Sequence, residues 1–232
     1  EGTIRAWGNN AQGQCDVPEG LNNVKNISAG DFHSIALLEN GTVVGWGSNE
    51  YGQALSPTGL NNVIAIDAGH QRNVVLRQGG TVLAWGRNIY GEGSVPAALR
   101  DVISVSAGGY HTVALRENGS IVAWGSNDYG QSLVPAGLGK LISAEAGYEH
   151  TVVLKENGTV LAWGNNLQGQ CNVPAGLNNV IAIQAADFYS MALKSDGTVI
   201  CWGGSNLYGE TTVPAGLRDV VAITGMYYHS GA

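Results

Sequence analysis

The chain has 232 residues, with 11 Lys and Arg against 18 Asp and Glu, for a net charge of −7. That balance, with no basic run, speaks against nucleic acid or an anionic membrane as partner, since both need a basic face. Only 12% of residues are charged and the mean hydropathy is +0.01, so the surface must be built from Asn, Gln, Ser, Thr and Gly. No apolar run approaches the ~18 residues of a membrane span.

The first residues, Glu1-Gly-Thr-Ile, open straight into a repeat, so no signal peptide is expected; a mature secreted chain would read the same. Trp7 is followed by Trp46, Trp85, Trp124, Trp163 and Trp202, each 39 residues on, and these are all six Trp of the chain. A fixed period of this size marks a solenoid, propeller or array. Cys15, Cys171 and Cys201 have no metal-binding spacing, and equivalent positions of distant units lie too far apart to bond. Three free thiols are expected, with no metal and no cofactor.

Within each unit the punctuation repeats. Asn40-Gly41, Asn118-Gly119, Asn157-Gly158 and Asp196-Gly197 separate two apolar runs. Such pairs tolerate positive φ at both central positions of a type I′ turn, so each predicts a tight hairpin. A turn-rich stretch ends at Pro18, Pro57, Pro96, Pro135, Pro174 and Pro214, which are all the prolines and are excluded from central strands. A third strand follows, such as Val63-Ile-Ala-Ile. The strands are apolar on both faces, as in sheets stacked between other sheets.

Unit six carries one extra residue at Gly203-Gly204. Allowing for it, the chain falls three residues short of six whole periods. An open solenoid would need polar caps. The expected fold is therefore an all-β, six-bladed β-propeller over residues 1–232, built from 39-residue repeats. Its ring is closed by pairing the C-terminal strand with residues Gly2 to Trp7.

The 17 aromatic residues fall into three groups. The Trp set and the set Tyr51, Tyr90, Tyr129 and Tyr208 read as packing between blades. The remaining seven lie in the loop between the third strand and the next hairpin. That loop reads Asp31-Phe32-His33, His70-Gln71-Arg72, Gly109-Tyr110-His111, Tyr148-Glu149-His150, Asp187-Phe188-Tyr189 and Tyr227-Tyr228-His229. It follows Gly30, Gly69, Gly108 and Gly147, where the chain is expected to turn sharply. A near-constant scaffold with changing aromatic loops is how a binding surface is built. The candidate partner-binding residues are Asp31, Phe32, Gln71, Arg72, Tyr110, Tyr148, Glu149, Phe188, Tyr189, Tyr227 and Tyr228, an aromatic crescent with a polar gap at unit two.

His33, His111, His150 and His229 share the third loop position. Four copies of a His followed by Ser or Thr do not make a catalytic constellation, and they are too widely spaced to share one metal. A hydrogen bond to a neighbouring loop is the expected role. The carboxylates are scattered along the sequence and offer no acid/base dyad, so no enzyme activity is expected.

Trp-Gly-x-Asn, Tyr-Gly-Gln, Val-Pro-x-Gly-Leu, Ala-Gly-x-x-His-Ser-x-Ala-Leu and Asn-Gly-Thr-Val together resemble the regulator of chromosome condensation repeat family, over essentially the whole chain. The short unit and its Val-Pro-Ala stretch are most similar to the bacterial beta-lactamase inhibitors of this repeat type. That resemblance implies a secreted bacterial protein that blocks an enzyme by gripping it with aromatic loops. The matching positions are Phe32, Tyr110, Phe188 and Tyr228, with Tyr148, Tyr189 and Tyr227 beside them. Those inhibitors have seven blades where six units stand here, and Gln71 and Glu149 replace aromatics. A monomeric, non-enzymatic protein-binding propeller is the leading expectation, with a beta-lactamase as one possible target. A lectin-like propeller for carbohydrate or small ligands, and a structural module of a larger surface protein, are the alternatives.

Overall fold

The computed structural model describes residues 3–232, and no helix occurs among them. The strands form separate antiparallel sheets in sequence order. The first sheet is β1 (Val24–Ala29), β2 (His33–Leu38) and β3 (Val43–Gly47). The second is β4 (Val63–Ala68), β5 (Arg72–Arg77) and β6 (Thr81–Gly86). The third is β7 (Val102–Ala107), β8 (His111–Arg116) and β9 (Ile121–Gly125). The fourth is β10 (Leu141–Ala146), β11 (His150–Lys155) and β12 (Val160–Gly164). The fifth is β13 (Val180–Ala185), β14 (Tyr189–Lys194) and β15 (Val199–Gly203). A two-stranded sheet, β16 (Thr224–Met226) and β17 (His229–Gly231), ends the chain.

Each sheet is one third strand joined to the hairpin that follows it. The middle strands are buried on both faces, with Ile35, Ala36 and Leu37 fully enclosed, as their unbroken apolar runs require. Ile35, Leu37 and Val43 of the first sheet pack on Val63, Ile66 and Val75 of the second. The same cluster recurs between later sheets. Each such side chain contributes roughly 1.5–3 kcal/mol by leaving water.

The hairpins form, but not through type I′ turns. Gly41 has φ 80° while Asn40 keeps a negative φ, and Gly41 N–H donates to Leu38 O at 2.9 Å. This is a type I turn followed by a left-handed Gly. Asn40 serves through its side chain, whose Oδ1 accepts from Thr42 N–H at 3.0 Å. The glycines before the loops also differ from expectation. None of Gly30, Gly69, Gly108 and Gly147 has a positive φ. They are small because neighbouring inner strands nearly touch: a Cβ on Gly69 would stand 2.6 Å from Gly108 O.

A second link repeats along the seams between sheets. Gln131 O accepts from Thr151 Oγ1 at 2.8 Å and Trp163 Nε1 at 3.2 Å. Gln53 O does the same for Asn73 Nδ2 and Trp85 Nε1. Gln14 O does so for Ser34 Oγ and Trp46 Nε1, and Gln170 O for Ser190 Oγ and Trp202 Nε1. The Trp set thus packs and hydrogen-bonds between sheets, except at two positions. Trp124 Nε1 has no partner, and Trp7 is 86% exposed.

The expected closing strand is not formed in the described structure. Residues 3–7 belong to no strand, and β17 pairs with β16 alone. Gly2 lies outside the described residues. Glu210 O holds Ser230 Oγ but no Trp, and Ile27 on β1 is 55% exposed where its counterpart Ile66 is 7% exposed. The reason is local. Gly231-Ala232 stand where other units carry pairs such as Ile35-Ala36, so the last hairpin strand has little apolar surface with which to hold a neighbour.

Candidate protein-binding face

The loop between inner and middle strand has three positions, and they have separate fates. The third is a seam residue. His33, His111 and His150 are fully buried, and their Nε2 atoms lie 2.8, 2.9 and 3.0 Å from Asn73 Oδ1, Thr151 Oγ1 and Ser190 Oγ of the next sheet. Burial holds their imidazoles below the ordinary range, His111 and His150 at about 3. For His111 the nearby Arg72 cation adds to the effect. A hydrogen bond is present for these three, but to the middle strand of the next sheet and not to a neighbouring loop, whereas His229 is exposed.

Two residues expected on the partner surface belong to this seam instead. Arg72 is 1% exposed, and its guanidinium donates to Gly109 O, His111 O and Thr112 Oγ1. Tyr189 is fully buried, with its hydroxyl on His229 O at 2.7 Å. Both occupy the His position, where the side chain must cross to the next sheet.

The first and second positions reach the surface. Phe32, Tyr227 and Tyr228 are exposed, while Asp31, Gln71, Tyr110, Tyr148, Glu149, Asp187 and Phe188 are half-buried. Glu149 accepts from Asn165 Nδ2 at 2.9 Å. The aromatics form one unbroken array. Tyr110 meets Tyr148 at 4.8 Å between ring centroids, Tyr148 meets Phe188 at 5.5 Å, Phe188 meets Tyr227 at 6.0 Å, and Tyr227 meets Tyr228 at 4.7 Å. These edge and tilted geometries are the preferred ones for aromatic pairs.

The array is longer than the sequence suggests. Tyr51, Tyr90, Tyr129 and Tyr208, expected to be packing residues, are 39%, 48%, 47% and 71% exposed. Tyr90 joins Tyr110 at 5.3 Å and Tyr208 joins Tyr228 at 4.8 Å, extending the crescent at both ends. Arg87 lies over the Tyr90 and Tyr110 rings at 5.2 and 4.9 Å. The Tyr110 and Tyr148 hydroxyls share a hydrogen bond at 2.5 Å, and burial with that bond pushes Tyr148 well above the ordinary range. The gap is wider than unit two: Phe32 stacks on no other ring, and Asp31 pairs with His70 at 2.5 Å. His70 packs edge-on against Tyr110 and Tyr148.

Behind the crescent lies a cavity of about 560 Å³ that sequence reading missed. Ser28, Asp67, Ser106, Glu145, Gln184 and Thr224 line it, one from each successive inner strand. Asp67 and Glu145 are far apart in sequence, yet both line this cavity. Burial, reinforced by Asp67, pushes Glu145 up to about 8. Asp187, near Asp31, is pushed up to about 7, again chiefly by burial. The available signal was a polar residue recurring at one position in otherwise apolar strands. Among the described residues, no group of three or more His, Cys, Asp or Glu is placed to hold a metal ion.

The regulator of chromosome condensation (RCC1) repeat matches residues 24–53, 63–92, 102–131 and 142–170. The chain belongs to the RCC1 repeat family. No curated protein matches it. Its structure is similar to the ectodomain of the Physcomitrella patens receptor kinase CR4, with a TM-score of 0.71 and 26% identity. That match covers 88% of this chain but 56% of the CR4 ectodomain, so this RCC1-repeat chain spans little more than half of it. It is also similar to the CRINKLY ectodomain of Arabidopsis thaliana ACR4, with a TM-score of 0.77, 21% identity, and 97% and 81% of the two chains covered. Prp20p from Saccharomyces cerevisiae matches with a TM-score of 0.57, 16% identity, and 81% and 72% covered. These likenesses place the RCC1-repeat sheets here as propeller blades.

Proposed function

We propose that this RCC1-repeat chain is a non-enzymatic protein-binding propeller whose contact surface is the aromatic crescent. The observation that carries the reading is the unbroken run of seven rings from Tyr90 to Tyr208, held by mutual packing, five on the loops between inner and middle strands and one at each end from the turn-rich stretch. Tyr and Phe supply large contact area at low entropy cost, and a few such anchors dominate interface energetics. The Prp20p structure is described with its binding to Gsp1p and histones, which supports a partner role for such propellers. An enzyme such as a beta-lactamase is the finer partner reading, motivated by the repeat style. The ring is proposed to hold six blades, with Thr3–Trp7 completing the last one on β17.

The test is a co-purification comparing wild type with a Tyr110→Ala, Tyr148→Ala, Phe188→Ala, Tyr228→Ala variant. The variant is checked for retained fold by circular dichroism. A partner held by wild type and lost by the folded variant is expected. A partner retained equally by both overturns the crescent as the contact surface. Titration with purified beta-lactamases tests the narrower partner, and no binding at micromolar concentration removes it.

A further inference from the structure

Of the five buried residues at the third loop position, three are His and two are not. His33, His111 and His150 each reach a side chain on the middle strand of the next sheet and make no bond to the next loop's backbone. Arg72 and Tyr189 do reach that backbone. The Arg72 guanidinium donates to Gly109 O at 3.0 Å and to His111 O, the carbonyls on either side of Tyr110. Burial lowers this guanidinium to about 10, so it stays cationic at neutral pH, with Glu92 and Asp67 as counter-charges. The Tyr189 hydroxyl donates to His229 O at 2.7 Å, the carbonyl of the residue after Tyr228. The two loops held in this way lie toward opposite ends of the stacked array. Tyr110 is the neighbour of Tyr90, and Tyr228 is the neighbour of Tyr208. Tyr227, in the second of these loops, has φ 44°, a conformation that a bulky residue keeps only where its surroundings impose it.

We propose that Arg72 and Tyr189 are positioning residues of the binding face: each fixes the backbone of one loop, so that Tyr110 and Tyr228 are ordered before the partner arrives. This deepens the protein-binding reading and rests on it. Contact groups that are already ordered lose less conformational freedom on binding. Affinity therefore depends on two side chains that are themselves buried out of the partner's reach. His is the informative replacement, because the seam accepts it elsewhere. In Arg72→His the imidazole would face Thr112 Oγ1 as His111 faces Thr151 Oγ1, and in Tyr189→His it would face Ser230 Oγ as His150 faces Ser190 Oγ. Neither variant would keep the bonds to the loop carbonyls.

The experiment follows the tyrosine ring resonances of the intact protein by NMR and measures retention of the partner co-purified with wild type. Arg72→His is expected to shift the Tyr110 ring and leave the Tyr228 ring in place, and Tyr189→His is expected to do the reverse. A general loss of stability would not divide the two rings in this way. Each variant is expected to bind the partner about tenfold more weakly, the effect of having to order one or two side chains on binding. Arg72→Lys and Tyr189→Phe, which shorten or remove the donor alone, supply the same comparison if a His variant does not fold. Rings that stay in place, rings that both move in both variants, or folded variants that hold the partner as tightly as wild type would overturn the proposal. Failure of the crescent reading is separately visible, because the four-residue alanine variant would then still hold its protein partner. Loss of the partner by that variant, with full retention by Arg72→His and Tyr189→His, would remove the positioning role alone.

Discussion

Replacing Thr151 by Val removes one hydroxyl from the seam between the third and fourth sheets. That hydroxyl has a single proton, and it donates the proton to Gln131 O at 2.8 Å. The His111 Nε2 atom 2.9 Å away must therefore be the N–H that donates to Thr151 Oγ1. Both residues are fully buried, so water cannot replace the lost acceptor. An unsatisfied buried donor costs ~1–3 kcal/mol, and the lost bond to Gln131 adds ~0.5–1.5 kcal/mol. Gln131 O keeps Trp163 Nε1, which limits the second contribution. Thr151→Val is expected to lower unfolding stability by about 2–3 kcal/mol, read in urea as a shifted midpoint at unchanged slope. Thr151→Val combined with His111→Leu removes donor and acceptor together. The double variant is expected to be more stable than the sum of the two single losses by about 1–2 kcal/mol. A Thr151→Val protein within ~0.5 kcal/mol of wild type, or strictly additive losses, would refute the seam hydrogen bonds as a coupled unit.

Glu145 titrates with a definite sign. Its folded value, about 8, lies above the ordinary 4.5, so its contribution to stability is complete below 4.5 and disappears as pH rises through 8. Glu145→Gln should therefore gain on wild type from pH 5 to pH 8, by up to roughly 4 kcal/mol at ~1.4 kcal/mol per pH unit; parallel stability curves would contradict this. Gly69→Ala drives a Cβ toward Gly108 O, and a loss of ~1–3 kcal/mol is expected in thermal unfolding, with an unchanged Tm as the contrary result. Trp7→Ala tests the proposed sixth-blade strand. A loss of about 3 kcal/mol is expected if the indole seats against Glu210 O as Trp202 does against Gln170 O, and no loss would mean that the strand does not close the ring.

The repeat, the strands and the seam role of Trp46, Trp85, Trp163 and Trp202 were legible because they follow from period, turn residues and apolar runs. The hairpin geometry was half legible. Asn-Gly marks a turn, but whether Asn acts through its φ or through its side chain depends on strand twist, and Asn40 takes the second course. Arg72 and Tyr189 were misplaced because a loop residue with a long polar side chain reads as surface. Only the next sheet reveals that the third position points into the seam in the first five sheets. Tyr90 and Tyr208 were missed for the converse reason, since an aromatic before Gly reads as packing until its neighbours across the loops are known. The meeting of Asp67 and Glu145 in one cavity was invisible in linear order, because it depends on the inner strands standing side by side.

Hydroxyl-radical footprinting of the complex with the co-purified partner tests the contact surface most directly, because the protein carries its own controls. Tyr51 and Tyr129 have the same chemistry and comparable exposure to Tyr90 and Tyr228 but stand outside the stacked array. Protection of Tyr90, Tyr110, Tyr148, Phe188, Tyr227 and Tyr228, with Tyr51 and Tyr129 as reactive as in the free protein, is the expected result. Protection confined to other surfaces, with these six of the seven array residues unchanged, would contradict the aromatic crescent as the binding face.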